Sequence, residues 1–329
     1  MRDANEREWS AGEVEVLARA VVRAPSVHNS QPWSLALPER RAELSERADL
    51  ALPRQDPRGA DRLLSCGAAL ANLVLAVRVL GWHADVTIPG GEAPLVAIAA
   101  AAGREQPSDH ELHAYAAISR RRSHRRSFSP LPVAPVALSR IIDPMPEGVF
   151  CHLVGPEDTD EFADLLETAA KVIKGDAGLQ AELAAWTSAW RTDGVGDGLV
   201  APGYEKAGLP WAGLVRETSV IPDTGTLASR LAQETLLIFC AEDSRAGHVS
   251  AGVAMEHAWL AAVDEGLAAS VLSQPLHVLD VRARLAGALS LPAPPQLIMR
   301  LGYPDGSVRR SARRPAGDLL RRPDRGRVF

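Results

Sequence analysis

The chain has 329 residues, 46% of them hydrophobic and 23% charged, which is the composition of an ordinary soluble globular protein able to bury a sizeable core. A net charge of −5 argues against a general nucleic-acid binder, and three cysteines without a CxxC pair indicate reduced thiols in a cytoplasmic protein. The N-terminus lacks the apolar core of a signal peptide, and no apolar run approaches the ~18 residues of a membrane span, so we expect no membrane association.

Helices and short strands are predicted along the first hundred residues. Ser10 and Glu13 form a capping box, so a helix is expected from 10 to 24, where Pro25 ends it. Apolar spacing and turn residues then predict a strand at 33–37, a buried helix at 61–80, and strands at 84–88 and 95–99.

The rest of the chain predicts the same kinds of element. Helices are expected at 136–142, 159–174, 250–266 and 278–285, and strands at 149–154, 236–241, 269–272 and 296–301. Residues 175–226 break this pattern with a tryptophan-bearing helix and a glycine- and proline-rich run, which we interpret as a lid-like insertion.

An internal repeat gives the domain organisation. At a constant offset of 185, residues 65–86 match residues 250–271 at eight of 22 positions, including Gly67 with Gly252 and Gly81 with Gly266. Two alanine-rich buried helices would match partly by composition, but this explains the paired glycines less well. We place the halves at 1–105 and 106–329 and expect the two related helices to pack across a pseudo-two-fold axis.

The first chemistry-bearing motif is the loop at 24–33, which reads Ala-Pro-Ser-Val-His-Asn-Ser-Gln-Pro-Trp. Its two prolines stiffen the backbone, and Ser26, Asn29 and Gln31 offer hydroxyl and amide groups to a polar ring edge or a sugar chain. The alternative is a loop bonded to itself, with Trp33 as a core anchor.

A second motif is the arginine-rich run at 120–128, Arg-Arg-Arg-Ser-His-Arg-Arg-Ser-Phe. Guanidinium groups bind phosphate through bidentate, charge-assisted hydrogen bonds, so an Arg-x-Ser-x-Arg cluster in front of a helix suits a terminal phosphate. The alternative is a solvated run between domains. His110 and His113 lack the HExxH spacing, and we predict no metal site.

These two motifs resemble those of the nitroreductase family. Pro-Ser-x-x-Asn-x-Gln-Pro-Trp looks like the family's flavin-site loop, and Arg-Arg-Ser-x-Arg followed by Phe128 looks like its phosphate-binding motif. In ordinary members the arginine motif comes first, whereas here the loop precedes it and each half has kept what the other lacks. This arrangement is similar to the Acg-type branch, whose members are internal duplications that bind flavin mononucleotide (FMN).

The resemblance implies an α+β, nitroreductase-like fold. It would have two fused half-units, each with a small, mainly antiparallel sheet flanked by helices, and one FMN per chain. No catalytic residue is assigned. The resemblance implies that FMN meets Pro25, Ser26, Val27, Asn29 and Gln31 in the loop, Arg121, Arg122, Ser123 and Arg125 in the arginine motif, Ser273, Gln274 and Pro275 near the ring, and Arg309 and Arg313 near the phosphate.

The resemblance also implies an oxidoreductase that passes hydride from NAD(P)H to a nitro or quinone acceptor. The alternative is a flavin-holding storage or sensing protein with little turnover, in which Trp211 or Tyr204 of the insertion covers the flavin. A nucleic-acid-associated stress protein is a third class. Whether the chain is a monomeric pseudo-dimer or a homodimer stays open.

Overall fold

The computed structural model describes residues 8–91, 94–143, 145–187, 215–306 and 311–321. Its helices are α1 (Ala11–Val22), α2 (Ala60–Val79), α3 (Asp109–Arg120), α4 (Pro135–Ile142), α5 (Thr159–Gly175), α6 (Ala177–Thr187), α7 (Thr224–Leu231), α8 (Arg245–Asp264), α9 (Leu279–Ala288) and α10 (Ala316–Leu319). Its strands are β1 (Trp33–Ala36), β2 (Arg41–Glu46), β3 (Trp82–Thr87), β4 (Leu95–Arg104), β5 (Phe150–Leu153), β6 (Thr235–Cys240), β7 (Ala268–Leu272) and β8 (Pro295–Gly302).

Two four-stranded antiparallel sheets share one topology. The first has the order β1-β2-β4-β3 and the second has the order β5-β6-β8-β7, so the strands follow the same path in both. The central pair of each sheet also carries an irregularity, at Leu44/Ser45 in the first and at Phe239/Cys240 in the second. The expected α+β class with antiparallel sheets is confirmed, and the shared topology agrees with the internal repeat.

The two repeated helices cross at their matched glycines. A Cβ atom built on Gly67 would lie 2.1 Å from the carbonyl oxygen of Val249, and one built on Gly252 would lie 2.1 Å from that of Leu64. The Cα atoms of the two glycines themselves come within about 3 Å of these built positions. Equivalent residues therefore face each other, as the predicted pseudo-two-fold axis requires.

Helix α2 departs from the expectation that no apolar run has the length of a membrane span. An 18-residue window of this helix has a mean hydropathy of 1.5, which is enough to cross a membrane by length and composition. However, 83% of that window is buried inside the protein, where α2 packs against α8, α1 and α3. The apolar surface of α2 thus serves the core.

A main core lies between the helix pair and the two sheets, and a second core lies on the outer face of the second sheet. Alternate residues of β6 enter the two cores: Leu237 and Phe239 face the helix pair, while Leu236 and Ile238 face α5, α7 and α9. Because both faces of this sheet are covered, all eight residues of β8 are buried.

Four of the helices and strands were not predicted. Strand β2 and helix α3 are polar, α7 lies at the end of the supposed insertion, and α10 has only four residues. Helix α8 also begins at Arg245, five residues before the predicted start, because Ser244 caps it by accepting a hydrogen bond from the Gly247 amide.

Candidate functional site

A cavity of about 90 Å³ lies where the two halves meet. Residues from α2, α8 and several loops form its wall: Pro25, Ser26, Val27, His28, Gln55, Asp61, Leu64, Ser65, Ser123, Arg125, Met255, Trp259, Val271, Ser273, Gln274 and Leu297. The proline-bounded loop and the arginine motif therefore converge on one space.

The proline-bounded loop is held in a strained conformation. His28, Asn29 and Gln31 have φ values of 48°, 56° and 51°, in the left-handed region that costs non-glycine residues energy. Ser26 fixes the turn, because its Oγ accepts a 3.0 Å hydrogen bond from the Gln31 amide. The Val27 amide in turn donates to Ser65 Oγ on α2 at 3.2 Å. The loop thereby turns Pro25–His28 toward the cavity.

Two predicted site residues of this loop, Asn29 and Gln31, do not line the cavity. Both are buried and reach the C-terminal segment: Asn29 Nδ2 donates to the Ala312 carbonyl at 3.0 Å, and Gln31 Oε1 accepts from the Arg314 amide at 2.9 Å. The structure thus places their amides against the C-terminal segment, where they position the loop. Trp33 is indeed a core residue.

The arginine motif runs along the edge of strand β7. Ser123 forms a parallel bridge with Ala269, and the His124 amide donates to the Ala269 carbonyl at 2.9 Å. This pairing turns Ser123 and Arg125 into the cavity wall. The motif was expected in front of a helix. It instead follows α3, which ends at Arg120, and is held by a sheet edge.

The other two arginines of the motif, Arg121 and Arg122, do not line the cavity. Arg121 is buried, and its guanidinium carbon lies 4.5 Å from the ring centre of Trp259, which does line the cavity. Its Nη2 donates to the Arg23 carbonyl at 3.1 Å, and its Nε lies 3.5 Å from Glu256 Oε1. Arg122 donates to the carbonyls of Ser119 and Arg121 and does not line the cavity.

Several buried polar atoms near Arg121 find no hydrogen-bond partner among the described residues. They are Nε and Nη1 of Arg121, both carboxylate oxygens of Glu256, Nε1 of Trp259 and Nε of Arg313. Burial raises the pKa of Glu256 to about 7 against the attraction of Arg121. Burial, together with the charges of Arg121, Arg23 and Arg122, lowers the pKa of Arg313 to about 9. Guanidinium groups thus outnumber the single acid, which suits an anion.

The segment after β7 supplies the opposite side of the cavity. Ser273 and Gln274 line it, whereas Pro275 is buried but does not. Gln274 Oε1 accepts from the Val215 amide at 3.3 Å, so this described residue of the 175–226 insertion lies against the cavity wall. Ser273 Oγ donates to Asp61 Oδ2 at 2.9 Å.

Of the two predicted C-terminal residues, Arg313 lies apart from this wall. Arg313 lines a separate surface depression with Glu15, Arg19 and Arg23 of the α1 region. Arg309 lies outside the described residues, as do Trp211 and Tyr204 of the insertion.

Sequence reasoning missed four polar cavity residues, His28, Gln55, Asp61 and Ser65. His28 Nε2 lies 2.5 Å from Gln55 Oε1, and burial lowers the pKa of His28 to about 4, so this ring is neutral near pH 7. The sequence did carry a signal for Ser65, because Ser65 is the first matched position of the repeat. Gln55 and Asp61 stand in a loop and at a helix start that carry no recognisable motif.

Comparison with known proteins gives relatives over most of the chain. Residues 211–303 match the family model described as Nitroreductase family. A putative NAD(P)H nitroreductase of Mycobacterium tuberculosis strain H37Rv is 30% identical over 314 residues, covering 88% of this chain and 85% of the relative. The putative NAD(P)H nitroreductase acg of the same strain is 26% identical over 288 residues, covering 85% and 86%.

Solved structures give more distant matches. An NADPH:FMN oxidoreductase from Vibrio harveyi in complex with NAD+ is 15% identical, with a TM-score of 0.41, and the match covers 66% of this chain and 80% of that one. The FMN-dependent nitroreductase NfnB from Mycobacterium smegmatis in complex with NADPH is 18% identical, with a TM-score of 0.38, over 66% and 96%.

Proposed function

The chain belongs to the nitroreductase family, and from this premise we propose that it is an FMN-dependent oxidoreductase that passes hydride from NAD(P)H to a nitro or quinone acceptor. The resemblance stated from its two motifs is therefore confirmed at the level of the family. The observation that supports the activity is the meeting of Pro25–Val27, Ser123, Arg125 and Gln274 around one cavity.

The residues present fit a phosphorylated ligand with a planar polar ring. Arg125 in the wall, and the unpartnered Nη1 of buried Arg121 beside Trp259, supply donors for a phosphate. Trp259, Met255 and Leu297 supply the apolar surface that a flavin ring needs. Backbone groups of the strained loop at Pro25–Val27, and the Gln274 amide, would meet the ring's polar edge.

The chain's own residues have binding and positioning roles. When bound, FMN supplies the hydride chemistry, while the protein orients it and excludes competing reactions. The loop bond from Gln31 to Ser26, and the clamp of Asn29 and Gln31 on the C-terminal segment, hold the ring-side wall rigid. The pairing of the arginine motif with β7 holds Arg125 at a fixed distance from that wall.

The first test removes one candidate phosphate ligand. Arg125→Ala is expected to weaken FMN binding by roughly 10- to 100-fold, because a hydrogen bond to a charged group contributes about 1.5–3 kcal/mol. Arg126→Ala is the matched control: it makes the same change of charge at the neighbouring, exposed position outside the cavity wall. Flavin fluorescence during titration of the flavin-free protein measures both affinities.

Equal affinities for the two variants would contradict the phosphate assignment. Mass spectrometry of the molecule released from purified protein should give FMN, at one per chain. Two FMN per chain would contradict a single shared site.

A second test separates enzyme from storage protein. Adding NADPH or NADH without oxygen should bleach the yellow protein promptly, and a quinone or nitroaromatic compound should then restore the colour. If the colour instead persists in the presence of both donors, the flavin-holding alternative is correct.

A further inference from the structure

A second cavity, of about 650 Å³, adjoins the first through a shared polar wall. Gln55, Asp61 and Ser273 line both cavities. The second cavity is also lined by His277, His248 and Arg282, so it is polar on its far side. The candidate site is therefore separated from this larger space by one layer of side chains.

Asp61 is the centre of that layer. Its Oδ2 accepts hydrogen bonds from Ser273 Oγ at 2.9 Å and from Gln55 Nε2 at 3.3 Å, and it lies 2.9 Å from His277 Nε2. Asp61 is only 4% exposed, whereas a quarter of the His277 side chain is accessible. The pair thus runs from a buried carboxylate at the candidate site to an imidazole that meets solvent in the second cavity.

Charged neighbours hold the proton of this pair on His277. Burial tends to raise the pKa of Asp61, but His277, Ser273 and Gln55 outweigh it and lower the pKa. Burial tends to lower the pKa of His277, but the charge of Asp61 and its hydrogen bond outweigh it and raise the pKa. The groups facing them are Asp56 before α2, His28 in the loop, His248 on α8 and Arg282 on α9. Burial and the charge of Asp61 raise the pKa of Asp56 to about 7.

We propose that His277 and Asp61 form a proton relay that carries protons from the second cavity into the flavin cavity during reduction of the acceptor. This inference rests on the proposed function. A quinone that takes one hydride gains two electrons and one proton and keeps one anionic oxygen. The proton held on His277 passes through the Nε2–Oδ2 bond to Asp61, Asp61 gives it to that oxygen, and solvent in the second cavity reprotonates His277. One proton crosses, and no electrons move in the relay.

The relay predicts that only one half of the catalytic cycle depends on it. Hydride leaves NADPH without needing a proton from the protein, so bleaching by NADPH should stay within about twofold in Asp61→Asn and His277→Ala. Return of the colour with a quinone should slow by roughly 100-fold or more in both variants, because a positioned general acid typically contributes ~10²–10⁴-fold to the rate. Asp61→Asn keeps the acceptor atom for Ser273 but cannot pass a proton.

His248→Ala is the matched control, because His248 lines the same second cavity but bonds to Gln296. Imidazole added to His277→Ala should restore the quinone step, since the second cavity has room for it, and should do nothing for Asp61→Asn. If His277→Ala had only removed a structural contact, added imidazole would not restore the quinone step.

A readout without turnover is the titration of His277 by NMR in flavin-free protein. The pKa of His277 should be lower in Asp61→Asn than in wild type, because the carboxylate that stabilises the imidazolium is gone. An unchanged His277 pKa, a normal quinone step in His277→Ala, or an equal loss in His248→Ala would each overturn the relay while leaving FMN binding and bleaching intact. A protein that neither bound FMN nor bleached would overturn the proposed function and the relay with it.

Discussion

Replacing Gly67 or Gly252 by alanine would place a methyl group where helices α2 and α8 touch. The added carbon would lie 2.1 Å from a backbone carbonyl oxygen of the other helix, whereas ordinary contact needs ~3.5 Å. Neither carbonyl can turn away, because each belongs to a helix backbone. The helices must therefore separate by about 1 Å or more along the most buried interface of the protein.

Overpacking of this kind typically costs ~1–3 kcal/mol, and more when backbone has to move. We expect each variant to lose about 3 kcal/mol of unfolding free energy, and the melting temperature to fall by roughly 2 °C for each kcal/mol. The double variant should lose less than the sum of the two, because the first methyl group already separates the helices. Chemical denaturation monitored by circular dichroism measures these changes.

Gly287→Ala in α9 is the matched control. Nothing lies within 4 Å of a Cβ atom at this helical position, and its backbone is not left-handed, so alanine should stabilise the protein by ~0.5–1 kcal/mol. If Gly67→Ala or Gly252→Ala were as stable as wild type, the close crossing of the repeated helices would be wrong.

Three further predictions concern other contacts. Ser10→Ala should lower the unfolding free energy by about 1 kcal/mol through loss of the α1 cap, with unchanged flavin content. Gln31→Ala should cost about 1–3 kcal/mol and speed hydrogen exchange of the Arg314 amide, which loses its acceptor. Burial raises the pKa of Glu256 from 4.5 to about 7, so between these pH values the folded protein holds a proton that the unfolded chain has lost. The free energy of unfolding should therefore fall as the pH rises from 4.5 through 7, and should fall less in Glu256→Gln. Denaturation of flavin-free protein from about pH 5 to 8 measures this difference.

The fold was predictable where a pattern repeats or alternates. The eight matches between 65–86 and 250–271 gave the helix pair, and the paired glycines at 67 and 252 turned out to be the contact point itself. Most strands were found because their apolar runs are bounded by turn residues. Strand β2, Arg41–Glu46, was missed because it buries only Ala42, Leu44 and a glutamate behind charged neighbours.

Helix α3 carried a signal that went unused. Ser108 and Glu111 form a capping box like that of α1, but the stretch buries only Ala117 and Ile118, so it has a weak apolar face. Its polarity supported the interpretation of 106–135 as a join. In the structure, α3 packs against both α2 and α8 and delivers the arginine motif to β7.

The candidate site was predictable as a set of segments but not residue by residue. A sequence motif does not show the direction in which a side chain points in a strained loop. Here the left-handed backbone at His28 and Asn29 directs the Asn29 amide to the C-terminal segment. Asp61 was invisible because its role depends on partners more than 200 residues away, Ser273 and His277.

The two halves are alike where their backbones touch and unlike where they line the cavity. Glycine is required at the crossing in both copies, because either Cβ atom would meet a carbonyl oxygen. At the offset of 185, however, Met255 and Trp259 of the cavity wall correspond to Leu70 and Val74. A packing requirement acts on both copies of a duplicated helix, since either side chain would separate the pair. A binding requirement acts only on the copy that meets the ligand, which is how a symmetric scaffold would hold the single flavin proposed above.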